Sequence, residues 1–396
     1  MKVLVANLGS TSFKYKLFEM PAGTVLARGG MDRIGGSGGG HTFRLGDGDE
    51  VQVQCDLTDH AAAIDEAMSR LVGRSGVLAS AAELDAVGFK AVHARAITGV
   101  VELDEDVVER MISYYPLAPA HNPAYVAAIR QFARVVPEAA LIGCFESAFH
   151  GQVPLRRQLY AVPYHWYEKY GVRRYGFHGA SHRYAAEKVS ELIGSNHLKQ
   201  INCHLGGSCS LCAIEDGVSR GSSMGLTPQG GVPHNNRIGD LDPFALDLVM
   251  REEDLTFAEV LAQCSSASGL FGLCGHNDMR DIEEQAAAGD ERCALAIEVF
   301  TSSIRDYLGA YIVELGGIDA ISFTGGIGEK SSVVRQQVLA GLEFLGVRLD
   351  LDRNGGSPGG DGGACQLQAA DSDVKVYALR TDEELIVARQ SYEFLT

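Results

Sequence analysis

Two stretches of this chain are written to the same plan, and that repetition constrains the fold most. The apolar opening M-K-V-L-V-A runs into N-L-G-S-T-S-F-K-Y-K-L-F at 7–18, and I-N-C-H-L at 201–205 runs into G-G-S-C-S at 206–210. Each reads as strand, glycine turn, strand. Helical patterns lie between and after them, at 60–73, at 123–136 with Pro123 in the first turn, and at 291–315. The C-terminal T-D-E-E-L-I-V-A-R-Q-S-Y-E-F-L is also helical, with Thr381 as the expected N-cap. The pattern predicts an α/β protein of two similar halves facing each other across a cleft. The glycine-rich stretches 33–42 and 354–363 read as a mobile loop and an irregular surface loop.

A chain of 396 residues is too long for one ordinary core, so two domains are expected. The net charge of −17 argues against nucleic-acid binding, which needs a basic face. Nine cysteines, an odd number, argue against a disulfide framework and for a reducing, cytoplasmic compartment. The N-terminus lacks the apolar core of a signal peptide, and no run of about 18 apolar residues could span a bilayer.

Strand alternation puts Ser10, Ser12, Lys14 and Lys16 on one face of the first hairpin, and Phe13, Tyr15 and Leu17 on the other. Hydroxyls and ammonium groups beside a glycine turn make an anion cradle, although an ordinary amphipathic hairpin satisfies the same pattern. His204 to Ser210 repeats the construction. A third turn, G-G-I-G-E-K-S at 325–331, closes the apolar strand D-A-I-S-F-T and opens a helix, another anion-binding arrangement. It is not a Walker A loop, because Glu329 separates Gly328 from Lys330. Three such turns in this order point to a nucleoside triphosphate.

Ordered motifs then cover almost the whole chain. They include H-N-P at 121–123, F-E-S-A-F-H at 145–150, R-R-Y-G-F-H-G-A-S-H at 173–182, S-M-G-L-T-P at 223–228 and R-I-G-D-L-D-P at 237–243. D-M-R-D-I-E-E at 278–284, F-T-G-G-I-G-E at 323–329 and T-D-E-E-L-I-V-A-R at 381–389 complete the set. With these motifs the chain resembles the acetate kinase family, of the sugar kinase, Hsp70 and actin superfamily. The resemblance implies two actin-like (ribonuclease H-like) α/β domains across a nucleotide cleft, residues 1–147 with 384–396 and residues 148–383. It implies reversible phosphoryl transfer from ATP to acetate, propionate or a related acid, giving an acyl phosphate and ADP, in a cytoplasmic homodimer.

The resemblance also implies roles. Asn7 and Glu383 would lie around Mg²⁺. Ser10, Ser12, Lys14 and the run His204, Leu205, Gly206, Gly207, Ser208 would meet the phosphates. Glu146, His178 and Arg237 would be catalytic, with His178 and Arg237 stabilising the transferring phosphoryl group. Asp278, Met279 and Arg280, with Gly326, Ile327, Gly328, Glu329 and Lys330, would line the adenosine site. Lys90, Val92, Phe177 and Pro228 would receive the carboxylate and its acyl chain.

The departures from the family pattern concentrate among these residues. Lys90 stands where the family has an arginine, and an ammonium is no bidentate fork. Ala96 replaces an acidic residue, and Arg95 could substitute for the lost arginine only if a turn or bulge re-aims it. Glu146 replaces an aspartate, Gly221 another, and Ala120 a leucine. The usual H-L-G-N-G is H-L-G-G-S, losing an amide at Gly207 and gaining a hydroxyl at Ser208. A second reading is therefore a divergent, nucleotide-binding or regulatory member without turnover. A pyrophosphate donor is a third, disfavoured by the D-M-R and G-G-I-G-E motifs. His150 is expected to orient the Glu146 carboxylate, and Glu329 to cap a helix. Cys209 and Cys212 read as buried strand cysteines rather than zinc ligands.

Overall fold

The computed structural model describes residues 1–9, 11–73, 76–117, 121–360 and 362–396. Ser10 and Ala120 lie outside the described residues. The chain divides into two units, Met1–Ala148 with Glu383–Thr396, and Phe149–Asp382.

Unit 1 is built on an eight-stranded sheet in the order β5-β4-β3-β2-β1-β6-β8-β7. Its strands are β1 (Lys2–Leu8), β2 (Phe13–Glu19), β3 (Thr24–Asp32), β4 (Gly40–Leu45), β5 (Val51–Gln54), β6 (Ala86–Phe89), β7 (Val100–Glu102) and β8 (Ala140–Cys144). β1 pairs antiparallel with β2 and parallel with β6, and β6 pairs parallel with β8. Alternation along β1 divides its side chains between two cores. Leu4, Ala6 and Leu8 pack with helices α1 (His60–Leu71) and α2 (Asn122–Val135). Val3 and Val5 pack with Val387 and Ala388, in the C-terminal stretch that returns to this unit.

Unit 2 has a six-stranded sheet in the order β11-β10-β9-β12-β14-β13. Its strands are β9 (Lys199–Leu205), β10 (Cys209–Glu215), β11 (Val218–Ser222), β12 (Ala320–Thr324), β13 (Ala364–Gln366) and β14 (Lys375–Leu379). The pairing repeats that of unit 1: β9 is antiparallel to β10 and parallel to β12, β12 is parallel to β14, and β13 returns antiparallel on β14. The β3-β2-β1-β6-β8-β7 order of unit 1 thus recurs strand for strand, which is the physical content of the repeated strand–turn–strand pattern. Helix α3 (Gly179–Ile193) covers one face of this sheet through Ala185 and Val189. Helices α4 (Met279–Ala287) and α5 (Glu291–Leu315) pack on the other. The tight turn Asp216-Gly217 joins β10 to β11 with both residues at positive φ (52° and 77°), the geometry a two-residue hairpin requires.

Three expectations need correction. The glycine-rich run at 33–42 is not all loop, since β4 begins at Gly40 and His41 is fully buried. His41 bonds Tyr15 Oη through Nε2 at 2.9 Å and meets Glu66 through Nδ1 at 3.2 Å. A buried aromatic anchor thus overrides the glycines. Thr381 is not a cap, because the last helix starts two residues later at Glu383. Glu329 is not an N-cap residue: it lies inside helix α6 (Gly325–Lys330), and Ser331 caps α7 (Ser332–Leu339) by accepting from Val334 N. The last helix is α8 (Glu383–Leu395). No helix among the described residues is long and apolar enough to cross a membrane.

Candidate active site

Functional groups gather in each unit. In unit 1, Asn7 is the last residue but one of β1, and the chain turns back through Gly9, whose N–H donates to Ser12 O at 2.9 Å. A Cβ on Gly9 would stand 2.5 Å from Ser12 Oγ, so a larger residue there would push the Ser12 hydroxyl aside. Asn7 pairs with Lys14 across the hairpin, and Lys14 is exposed. The first turn of α8 supplies two carboxylates with different partners. Glu384 accepts from Asn7 Nδ2 at 3.2 Å and lies 3.8 Å from Lys16 Nζ. Glu383 pairs with Lys90, which is also 3.0 Å from Glu146 Oε1. Burial works against the Lys90 ammonium, but Glu146 and Glu383 outweigh it and hold its pKa well above the ordinary lysine value.

The stretch after β6 is not a straight strand. It breaks at Lys90 and turns between Ala94 and Ile97, with Ala96 at φ 60° and Arg95 exposed. The turn that an aiming role for Arg95 required is therefore present, at the surface. Asn122 of H-N-P is fully buried and donates from Nδ2 to His93 O at 2.8 Å and to Met111 O at 2.9 Å. It anchors the segment that carries Lys90 and Val92. Val92 packs at the edge of the unit 1 core.

In unit 2, Phe177 is buried and His178 caps α3 in the left-handed conformation, φ 57°. His178 Nδ1 is 2.9 Å from Ser210 Oγ, and His182 Nε2 is 2.8 Å from the same oxygen. His182 Nδ1 faces Asn202 Nδ2 at 2.9 Å, and Asn202 Oδ1 accepts from Ser322 at 2.9 Å. Full burial, reinforced by His150 and His204, drives the His182 pKa well below its usual value, so the ring is neutral. The proton positions follow. Asn202 donates to His182 Nδ1, His182 Nε2–H donates to Ser210, and the Ser210 hydroxyl donates to His178 Nδ1. With Nδ1 accepting from Ser210, the His178 ring carries its proton on Nε2. The His204 ring lies 4.2 Å from that of His178, and its Nδ1 meets Ser181 Oγ at 2.8 Å.

His150 does not orient a carboxylate. Its Nε2 bonds Phe177 O at 3.0 Å and its Nδ1 meets Ser219 Oγ at 2.9 Å, so it positions the backbone before His178. Burial pushes its pKa down to about 4.

Arg237 donates from Nη1 to Ser208 Oγ and to Pro228 O, both at 3.2 Å. Burial lowers its pKa. Ser208 meets His234 Nδ1 at 3.2 Å, and Cys209 N donates to the same nitrogen at 2.8 Å. Burial, aided by Arg237, pushes the His234 pKa down to about 3. The hydroxyl gained at Ser208 therefore aims Arg237. The amide lost at Gly207 has a neighbour too, since a Cβ there would lie 3.4 Å from Asn235 Nδ2. Asn235 brings a carboxamide to the place the family's asparagine would fill, and N-N-R-I-G was its only signal in the sequence.

A cavity of about 350 Å³ lies beside these residues, walled by Gly206, Gly207 and Asn235, by Asn277 to Arg280 with Glu283, and by Gly326, Ile327, Lys330 and Ser331. Asp278 caps α4 and grips Arg280 at 2.9 Å and 2.5 Å, and these bonds hold its carboxyl down to about 2. Leu205 is fully buried in the core and Gly328 is buried beneath the turn, accepting from Arg335 Nη1 at 2.8 Å; neither they nor Glu329 form the cavity wall.

Residues 2–389 match the model of the acetokinase family. The acetate kinase of Carboxydothermus hydrogenoformans is 40% identical over 399 residues, spanning 100% of this chain and 99% of that protein. The crystal structure of Porphyromonas gingivalis acetate kinase superposes with a TM-score of 0.88 at 36% identity, covering 100% of both chains. A propionate kinase from Francisella tularensis gives a TM-score of 0.88 at 30% identity, covering 98% of both.

Proposed function

This chain belongs to the acetokinase family, a family of carboxyl-group phosphotransferases, and we propose that it transfers a phosphoryl group reversibly between ATP and acetate, propionate or a related short acid. The observation that carries this reading is the glycine-walled cavity of unit 2. It runs up to Gly207, next to Ser208, the hydroxyl that holds Arg237. Such a cavity takes the nucleoside with Asp278, Met279, Arg280, Gly326, Ile327 and Lys330, and its glycine turns let backbone N–H groups approach phosphate. Ser12 and Lys14 of unit 1 serve the phosphates as well.

Phosphoryl transfer asks for little covalent chemistry and much charge neutralisation. Arg237 is a fixed fork for the equatorial oxygens. His178 offers Nε2–H to the same charge. Lys90 is the cation for the acceptor carboxylate, with Glu146 beside it, and Val92, Phe177 and Pro228 are assigned to the acyl chain. Asn7, Glu383 and Glu384 present hard oxygen donors, which fit Mg²⁺. When bound, that ion supplies positive charge to the phosphate oxygens. A homodimer belongs to the same reading, supported by Phe244, Leu248 and Phe257, exposed on two neighbouring helices. All nine cysteines are free, which suits a reducing cytoplasm.

Trapping acyl phosphate as the hydroxamate, with Mg-ATP and acids from formate to valerate, tests the reading. A preferred acid with Mg²⁺-dependent turnover is expected. Arg237→Ala should then lower kcat by about 100-fold or more while ADP binding persists. No product with any acid, from folded protein that binds ATP, would overturn it.

A further inference from the structure

A chain of net charge −17 sets four cations around one hollow of unit 1. Phe13, Tyr15 and Leu17 of β2 point into the core, so Lys14 and Lys16 stand on the opposite face. On β3, Ala27 and Met31 are buried, which puts Arg28 and Gly30 on that same face. On β4, His41 and Phe43 are buried, which leaves Thr42 and Arg44 there. The strand register aligns these positions. Lys16 lies opposite Arg28, and Arg28 opposite Arg44, while the neighbouring row is Lys14, Gly30, Thr42.

One row is thus three cations wide, and the next has no side chain at its centre. Like charges directly opposite on adjacent strands repel. Glu384 and Glu50 also line the hollow, but two carboxylates against four cations leave it positive. The space is about 260 Å³, enough for a small anion. The Nε–H of Arg44 is buried with no acceptor among the described residues, a donor facing nothing that could satisfy it.

We propose that this hollow binds a phosphate-type dianion, either free inorganic phosphate or the phosphoryl group of a small metabolite, with Arg28 and Arg44 as its guanidinium forks. Two planar forks, an ammonium on either side and the Thr42 hydroxyl suit tetrahedral oxygens, whereas a single carboxylate leaves most of the donors unused. The hollow shares Lys14 and Glu384 with the proposed reaction, but that reaction uses neither arginine.

Thermal melting and titration calorimetry of the full chain test it, with inorganic phosphate and glycerol phosphate as separate probes. At least one should raise the melting temperature of the wild type. In Arg28→Gln/Arg44→Gln its Kd should rise about tenfold or more, with Mg-ADP binding unchanged. Inorganic phosphate alone binding identifies the free ion, and glycerol phosphate binding more tightly identifies a phosphoryl ester. In phosphate-free buffer the variant should melt no lower than the wild type, because a repulsion has been removed. Equal phosphate binding by both proteins, no binding by the wild type, or a variant melting well below it would each overturn the proposal.

Discussion

Ser210 touches no expected ligand, yet it sets which nitrogen of His178 carries the proton. It is a single hydroxyl between two imidazoles, and only His182 has its protonation fixed by burial. Ser210→Ala removes the donor to His178 Nδ1 and frees the ring to take either tautomer. The expected result is a kcat about tenfold lower, KM for ATP unchanged, and an altered pH–rate profile. Ser210→Thr, which keeps the hydroxyl, should restore most of the rate. If Ala and wild type share one pH profile, the relay does not act. Lys90 shows the other side of residue-scale logic. Two carboxylates already hold its ammonium, so an incoming acid must compete with Glu146 and Glu383 for one point charge. An arginine fork could serve two such partners at once.

At the scale of elements, both hairpins and their glycine turns were legible because their pattern is local: alternation, then Gly, then alternation. Helix α2 was legible from Pro123, and α5 from its length. What stayed hidden depended on packing. β4 is concealed by glycines and revealed only by the burial of His41. Glu383 and Glu384 are adjacent in sequence, yet a helix turns them about 100° apart, onto Lys90 and Asn7 respectively. Asn235 reaches Gly207 from a separate loop, which no spacing rule announces. The fit of α8 on the sheet is equally tertiary. A Cβ on Gly88 of β6 would meet Ser391 Oγ at 2.5 Å and Val387 Cγ1 at 3.0 Å. Gly88→Ala should therefore cost about 1–3 kcal/mol in urea unfolding, and Ser391→Gly in the same chain should recover part of it. An unaltered midpoint for the single variant would mean α8 does not pack as tightly as described.

For the whole molecule, acid is the condition that tests the buried polar groups together. His150 titrates at about 4 and His234 at about 3, and His182 is also depressed, all chiefly by burial. Their unfolded values lie near 6.5. Between those limits the unfolded chain binds more protons than the folded one. Stability is thus fully present above about pH 6.5 and falls as pH drops toward 4, by about 1.4 kcal/mol per pH unit for each such histidine. Urea midpoints should decline steeply from pH 7 to pH 5. A flat profile would show that these rings are not held neutral. The division of the chain has a consequence of another kind, in time rather than in energy. Unit 1 is interrupted, since its last element, Glu383–Thr396, comes after the whole of unit 2. On a ribosome adding about 5–20 residues per second, β1 and β6 wait tens of seconds for the helix that covers Val3 and Val5. The later half of the chain can fold while the earlier half still shows a bare apolar sheet face. The same late segment brings Glu383 and Glu384, so the carboxylates of the proposed metal site are made only after the whole of unit 2.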